Sequence, residues 1–214
     1  MDKALSFEEY CNGDTELLKV MNILKTGNYA EYERERYKLT QKRTAPKLLK
    51  FRDKGDWKSF CDTAISVYEV MPIAFNYFEE IPDNMKYQFL IDCYEHHGDE
   101  LPKVRKYVKQ MRKWGEPELP HCYQILDTLV IYRAGTEDIE ASKKCISWTL
   151  DVNVARFFYK RSAEYETRHI YQGFIKINDV LAYNNNRLEQ EIMQYNKVYN
   201  ITEVTQELFQ IRRK

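Results

Sequence analysis

The sequence predicts an α+β fold: a helical N-terminal region, 1–118, followed by a small mixed, mostly antiparallel β-sheet domain, 119–214. Three observations carry that expectation. Capped segments with apolar residues at helical spacing dominate the first half. The proline-bearing "EPELP" at 116–120 then breaks the chain. Beyond it the apolar runs shorten and become rich in Ile, Val, Tyr and Thr, the residues of strands. The 214 residues, 43% hydrophobic, suffice for a packed core, and 33 basic residues against 33 acidic ones argue for neither a nucleic-acid nor a membrane partner.

Taken in order, "SFEEY" pairs Ser6 with Glu9 as in a capping box, and "DTELLKVMNILKTGN" runs from an N-cap at Asp14 to a closing glycine, Gly27. From Arg34 to Lys54, nine Lys or Arg stand against Glu35 and Asp53. That block reads as a solvated helix face, with nucleic-acid binding as the alternative. A helix starts at Asp56 in "DWKSFCDTAISVYEVM", where Trp57, Phe60, Ala64, Val67, Tyr68 and Met71 keep helical spacing, and Pro72 kinks or restarts it. "PDNMKYQFLIDCYEHHG" from Pro82 and "LPKVRKYVKQMRKWG" from Leu101 are further helices, each closed by a glycine. Strands are expected at 127–134, 144–150, 169–177, 189–195 and 198–204. One helix, "DVNVARFFYKRSA", lies between the second and third, with Asp151 as its N-cap.

Several chemistries are disfavoured. Five cysteines, an odd number without a Cys-x-x-Cys pair, suit reduced thiols in a cytoplasm. The opening "MDKALSFEEYCNGD" carries acids where a signal peptide needs basic and then apolar residues, and no apolar run approaches the length of a membrane span, so a cytoplasmic protein without membrane partners is expected. Cys93, His96 and His97 share helical spacing, but histidines at a helix end before Gly98 suit the helix dipole, and no metal is expected. His121 and Cys122 lack a third partner for nucleophilic catalysis, and the seven scattered glycines form no phosphate-cradling loop.

Three polar features interrupt the strands. Arg133 in "VIYRAG" is a guanidinium in an apolar strand, costly to bury unless it meets an anion. Ser147 and Thr149 in "ISWTL" put two hydroxyls on one face of a strand, with Trp148 on the other. In "NNNRLEQEIMQY", Glu189 and Glu191 share a face if the segment is extended, and their carboxylates then lie side by side.

The order Arg, Ser-x-Thr, Glu-x-Glu resembles the Arg-Ser-Glu class of mono-ADP-ribosyltransferases, which includes binary-toxin enzymes, vertebrate ecto-enzymes and several phage enzymes. Tyr132 before the arginine, the helix with Ala155 and Phe158 after the hydroxyl pair, and "DVLAYNNNRLEQE" as the approach to a substrate-recognition loop add to the likeness, which covers residues 125 to 205. The resemblance implies a transferase of glycosyltransferase type that takes NAD+ as ADP-ribose donor, without a metal. It implies Glu191 beside the ribose, Ser147 hydrogen-bonded to Glu191, and Arg133 on the diphosphate or bracing the ribose. Glu189 would select and activate the acceptor, a glutamate there suiting a protein arginine. Cofactor contacts would come from Arg133, Ala134, Ser147, Thr149, Phe158 and Glu191, with Phe157 and Tyr159 as other aromatics able to cover the nicotinamide. The family usually has glycine directly after the arginine, where this chain has Ala134 and then Gly135, and a small hydroxyl residue where Trp148 stands. Toxins, phage takeover systems and their opponents are the setting the likeness implies, including delivery into a host cell. Two alternatives stand beside it. One is a non-catalytic binding protein on a degenerate transferase fold; the other is transfer to nucleic acid, for which only the basic block speaks.

Overall fold

The computed structural model describes residues 10–98, 102–162 and 167–204, so the capping box of Ser6 and Glu9 lies outside the described residues. Contacts divide the chain into two compact units, Met1–Pro82 and Asp83–Lys214.

In the first unit, helix α1 (Thr15–Lys25) starts where Asp14 accepts a hydrogen bond from Leu17 N at 3.0 Å, and Gly27 just past its end takes φ +75°, a conformation that favours glycine. The basic block lies in α2 (Tyr29–Asp53), which is N-capped by Asn28 and runs on through Pro46. The sequence shows no apolar stripe here, and the helix is instead supported by charge pairs along and across it. Arg36 meets Glu33 at 3.1 Å and the buried Glu69 at 3.2 Å, Lys38 meets Glu35 at 2.8 Å, Lys42 meets Glu16 at 2.6 Å and Arg43 meets Asp14 at 2.6 Å. Much of the basic block is thus compensated by neighbouring carboxylates. Helix α3 (Trp57–Ser66) is capped by Asp56 as predicted. The chain leaves helical geometry at Val67, so Pro72 restarts a helix, α4 (Met71–Ala74), rather than kinking one. Leu48, Phe60, Ala64, Val70, Met71, Phe75 and Phe78 form the buried interior of this unit.

The second unit opens with α5 (Asp83–His97), α6 (Pro102–Val108) and α7 (His121–Gln124). Then come β1 (Thr128–Gly135), α8 (Ile139–Ser142), β2 (Ser147–Thr149), α9 (Val152–Ser162), β3 (His169–Lys176), β4 (Ala182–Asn184), β5 (Glu191–Met193) and β6 (Tyr199–Glu203). The six strands form one sheet in the order β4-β5-β2-β1-β3-β6, each pairing antiparallel. Contacts group 83–118 with this sheet rather than with the helices before it. Specific anchors do so: Tyr87 donates to Leu181 O at 3.0 Å, and Arg105 to Lys144 O at 2.6 Å.

Two expected strands shorten. Lys144 and Cys145 belong to the turn after α8, bonded back to Ala141 O and Ser142 O, so β2 starts at Ser147. Leu188 and Gln190 take left-handed φ values of +59° and +45°, which turns the chain and delays β5 to Glu191. β4, three residues long, has no counterpart in the sequence reading. Leu129, Ile131, Trp148, Tyr171, Ile175, Ile192 and Val198 make the core against the sheet. Trp148 is 2% exposed, so its burial fixes which face Ser147 and Thr149 present. Among the described residues, no helix is long and apolar enough to cross a membrane.

Candidate active site

Strand register assembles the polar residues. Thr149 pairs with Glu191 across β2 and β5 and with Tyr132 across β1 and β2, and Ser147 lies two residues along on the face of Thr149. From there a continuous hydrogen-bonded chain runs through the three motifs. Ser147 Oγ donates to Glu191 Oε1, Arg133 Nη1 donates to Ser147 O at 2.8 Å, and Arg133 Nε donates to Glu137 Oε1 at 2.6 Å. The half-buried guanidinium has thus found an anion inside the protein. Burial tends to raise the Glu137 carboxyl, but the Arg133 charge and hydrogen bond prevail and hold it below the usual glutamate range.

Gly135 leaves room for that ion pair. A Cβ at this position would come within 2.1 Å of Glu137 Oε2, so a side chain here would force the carboxylate to shift from where it meets Arg133. The Ala-then-Gly order after the arginine has a local reason: Ala134 lines the cavity, and Gly135 makes room for Glu137.

One cavity of about 380 Å³ collects the residues named from the sequence: Arg133, Ala134, Ser147, Thr149, Phe158, Glu189 and Glu191 all line it. Its volume is within the range of small-molecule sites. Of the other aromatics, Phe157 is 62% exposed, meets Phe158 edge to face at 5.5 Å and lines a shallower depression with Leu188, while Tyr159 borders neither. Glu189 does not lie in an extended strand beside Glu191, as expected. It sits in the turn between the left-handed Leu188 and Gln190, and the turn rather than strand periodicity brings it to the cavity. Thr149 holds that turn, donating to Glu189 O at 2.5 Å and accepting from Asp151 N at 3.0 Å. Asp151 in turn accepts from Asn153 N at 2.7 Å at the start of α9.

The sequence reading missed what α5 brings. Tyr94 and Glu95 line the same cavity, as do Arg168 and Arg187. Glu95 accepts from Asn184 Nδ2 at 2.9 Å and Asn186 Nδ2 at 3.2 Å, and pairs with Arg187 Nε at 2.9 Å. The signal available in the sequence was slight: a carboxylate beside buried Tyr94 and Cys93 on a helix otherwise explained by packing.

Two carboxyls in this cavity are driven in opposite directions. Burial, then the negative charges of Glu189 and Glu95, push Glu191 above the usual glutamate range, although the Ser147 bond opposes this. Burial also works to raise Glu95, but Asn184, Asn186 and Arg187 outweigh it and hold that carboxyl low. Glu95 is thus held below the usual glutamate range and Glu191 above it, two carboxyls of one cavity pushed apart by their surroundings. Compared with known proteins, the chain matches no family model, no curated protein and no solved structure.

Proposed function

We propose that this protein is an NAD+-dependent mono-ADP-ribosyltransferase that modifies a protein on arginine. The observation that carries the reading is the chain Arg133–Ser147–Glu191 on β1, β2 and β5, which presents an oriented, partly desolvated carboxylate to a cavity that Glu189 also borders. Transfer breaks the bond between nicotinamide and the ribose C1′, and nicotinamide leaves with the electron pair. Positive charge grows on the ribose, and a carboxylate fixed beside it stabilises that charge more than it stabilises the ground state. Glu191 suits this role because the Ser147 hydroxyl holds its direction. The acceptor nitrogen then bonds to C1′, and its proton goes to Glu189, whose carboxylate also orients a guanidinium.

Arg133 is better suited to bracing than to carrying net charge. Glu137 neutralises it, and its Nη1 is committed to the β2 backbone, so it fixes Ser147 and through it Glu191. Phe158, with Tyr94 and Tyr132, supplies aromatic surface for a nicotinamide ring. Protein is favoured over nucleic acid as acceptor because much of the basic helix α2 is already paired with carboxylates.

The test is incubation with labelled NAD+ and a cell lysate beside a Glu191→Gln variant. Label on a protein, removed by chemistry that cleaves arginine adducts and reduced at least a hundredfold in the variant, is the expected result; such a loss corresponds to about 3 kcal/mol or more of transition-state stabilisation. Label on oligonucleotides instead would move the acceptor to nucleic acid. Absence of both label and NAD+ binding would leave a binding protein on this fold.

A further inference from the structure

We propose that Glu95 is the positioning residue of the acceptor side of the site: from helix α5 it clamps the segment 184–187 and so fixes the turn that carries Glu189. This rests on the transferase reading above and extends it to a part of the chain that the resemblance does not reach.

The geometry is specific. One carboxylate takes three partners from four consecutive residues: both asparagine amides on Oε2, at 2.9 Å from Asn184 and 3.2 Å from Asn186, and Arg187 Nε on Oε1 at 2.9 Å. The side chain of Glu95 is only 10% exposed, and its bond to the buried Asn184 is the one sheltered from water, whereas Asn186 and Arg187 reach it from the surface. Asn184 closes β4 opposite Glu191 of β5, and it is 7% exposed. The clamp therefore grips the segment immediately before the turn 188–190 and immediately beside the strand that bears Glu191. The far side of the turn is held independently, by Thr149 on Glu189 O and by Leu150 N on Gln190 O at 3.0 Å. With both sides held, the backbone at Glu189 is fixed from α5 as well as from β2; with the α5 side released, the turn keeps only its bonds to Thr149, Leu150, Tyr123 and Asn185, and Glu189 gains freedom. Glu191 keeps its own support from Ser147 and from the β2–β5 pairing. Releasing Glu95 should therefore impair transfer to an acceptor far more than cleavage of the donor.

The experiment uses the full chain, NAD+ and a small guanidine, agmatine, as acceptor, and compares wild type with Glu95→Ala and the milder Arg187→Ala. Two rates are read for each: ADP-ribosyl-agmatine formation, and nicotinamide release into water without acceptor. Both rates are read on the plateau of the pH profile, because Glu95 is also one of the charges that raise Glu191; there the expected result for Glu95→Ala is at least a tenfold loss of transfer with nicotinamide release within threefold of wild type, and a smaller loss in the same direction for Arg187→Ala. Hydrogen–deuterium exchange over 184–191 should rise in Glu95→Ala while that of β1 and β3 stays unchanged. Equal loss of both rates, or unchanged exchange over 184–191, overturns the proposal. A wild-type chain that neither binds nor cleaves NAD+ sinks the transferase reading instead, and the exchange measurement then still decides whether Glu95 clamps the segment.

Discussion

The surroundings of Glu191 tie its ionisation to the stability of the fold. Its carboxyl is raised first by burial and then by Glu189 and Glu95. A carboxyl whose folded value lies above its unfolded value contributes stability that is complete below the usual glutamate range and is lost as pH rises through the raised value. The proposed chemistry needs the ionised form, so nicotinamide release should rise with pH across that same window. Glu189→Gln removes one of the charges that raise Glu191, and should move this rising limb to lower pH without lowering the plateau of hydrolysis; a pH profile of acceptor-free nicotinamide release checks it. Gly135 allows a second prediction. Glu137→Gln weakens the charged contact on Arg133, and Gly135→Ala displaces the same carboxylate. Each should slow single-turnover nicotinamide release roughly tenfold, about 1.4 kcal/mol. The double variant should be little slower than either single one, because both break one contact.

Within the sheet, β3 has no free space for a side chain at Gly173: a Cβ there would come 2.5 Å from Val198 Cγ1, in a core that also holds Trp148. Gly173→Ala should cost about 1–3 kcal/mol by overpacking. Combined with Val198→Ala it should cost less than the sum of the two, since the truncated valine accepts the new methyl; urea unfolding of the four chains measures this. The elements that could be read from the sequence are those whose signals are local. Asp14 and Asp56 announce helices because a cap acts within three residues. β1 and β3 are eight residues long and show their Ile, Val and Tyr plainly. β4 is too short to display alternation, whereas α2 shows only its charge pattern, the solvated face of the basic block, and no apolar stripe by which to place its ends. The site divides in the same way. Arg133, Ser147 and Glu191 each stand out as polar residues in apolar strands, whereas Glu95 acts on residues about ninety positions away, a relation that only the folded chain creates.

At the scale of the whole molecule, the position of the boundary decides which piece of the chain is self-sufficient. Each unit owns a core: Leu48, Phe60, Met71 and Phe78 belong to the first, and Leu129, Trp148, Tyr171 and Ile192 to the second. Every residue lining the candidate cavity, from Tyr94 to Glu191, lies after Pro82. A unit with its own core and its own site is expected to fold alone. A chain of residues 83–214 should therefore melt cooperatively and retain acceptor-free nicotinamide release. A chain of residues 119–214, cut where the proline-bearing break suggests a boundary, loses the anchors of Tyr87 on Leu181 and Arg105 on Lys144, and it loses Glu95 together with the burial that Tyr94 provides. The shorter chain also lacks Phe89, Leu90, Val104 and Val108, apolar residues of α5 and α6 that are all nearly inaccessible in the folded protein. This shorter chain should therefore aggregate or unfold without a cooperative transition. Calorimetry of the two truncations beside the full protein separates the boundaries directly: a cooperative melt of 119–214 would place the helices 83–108 outside the folding unit, and failure of 83–214 to melt cooperatively would make the first unit indispensable to the second.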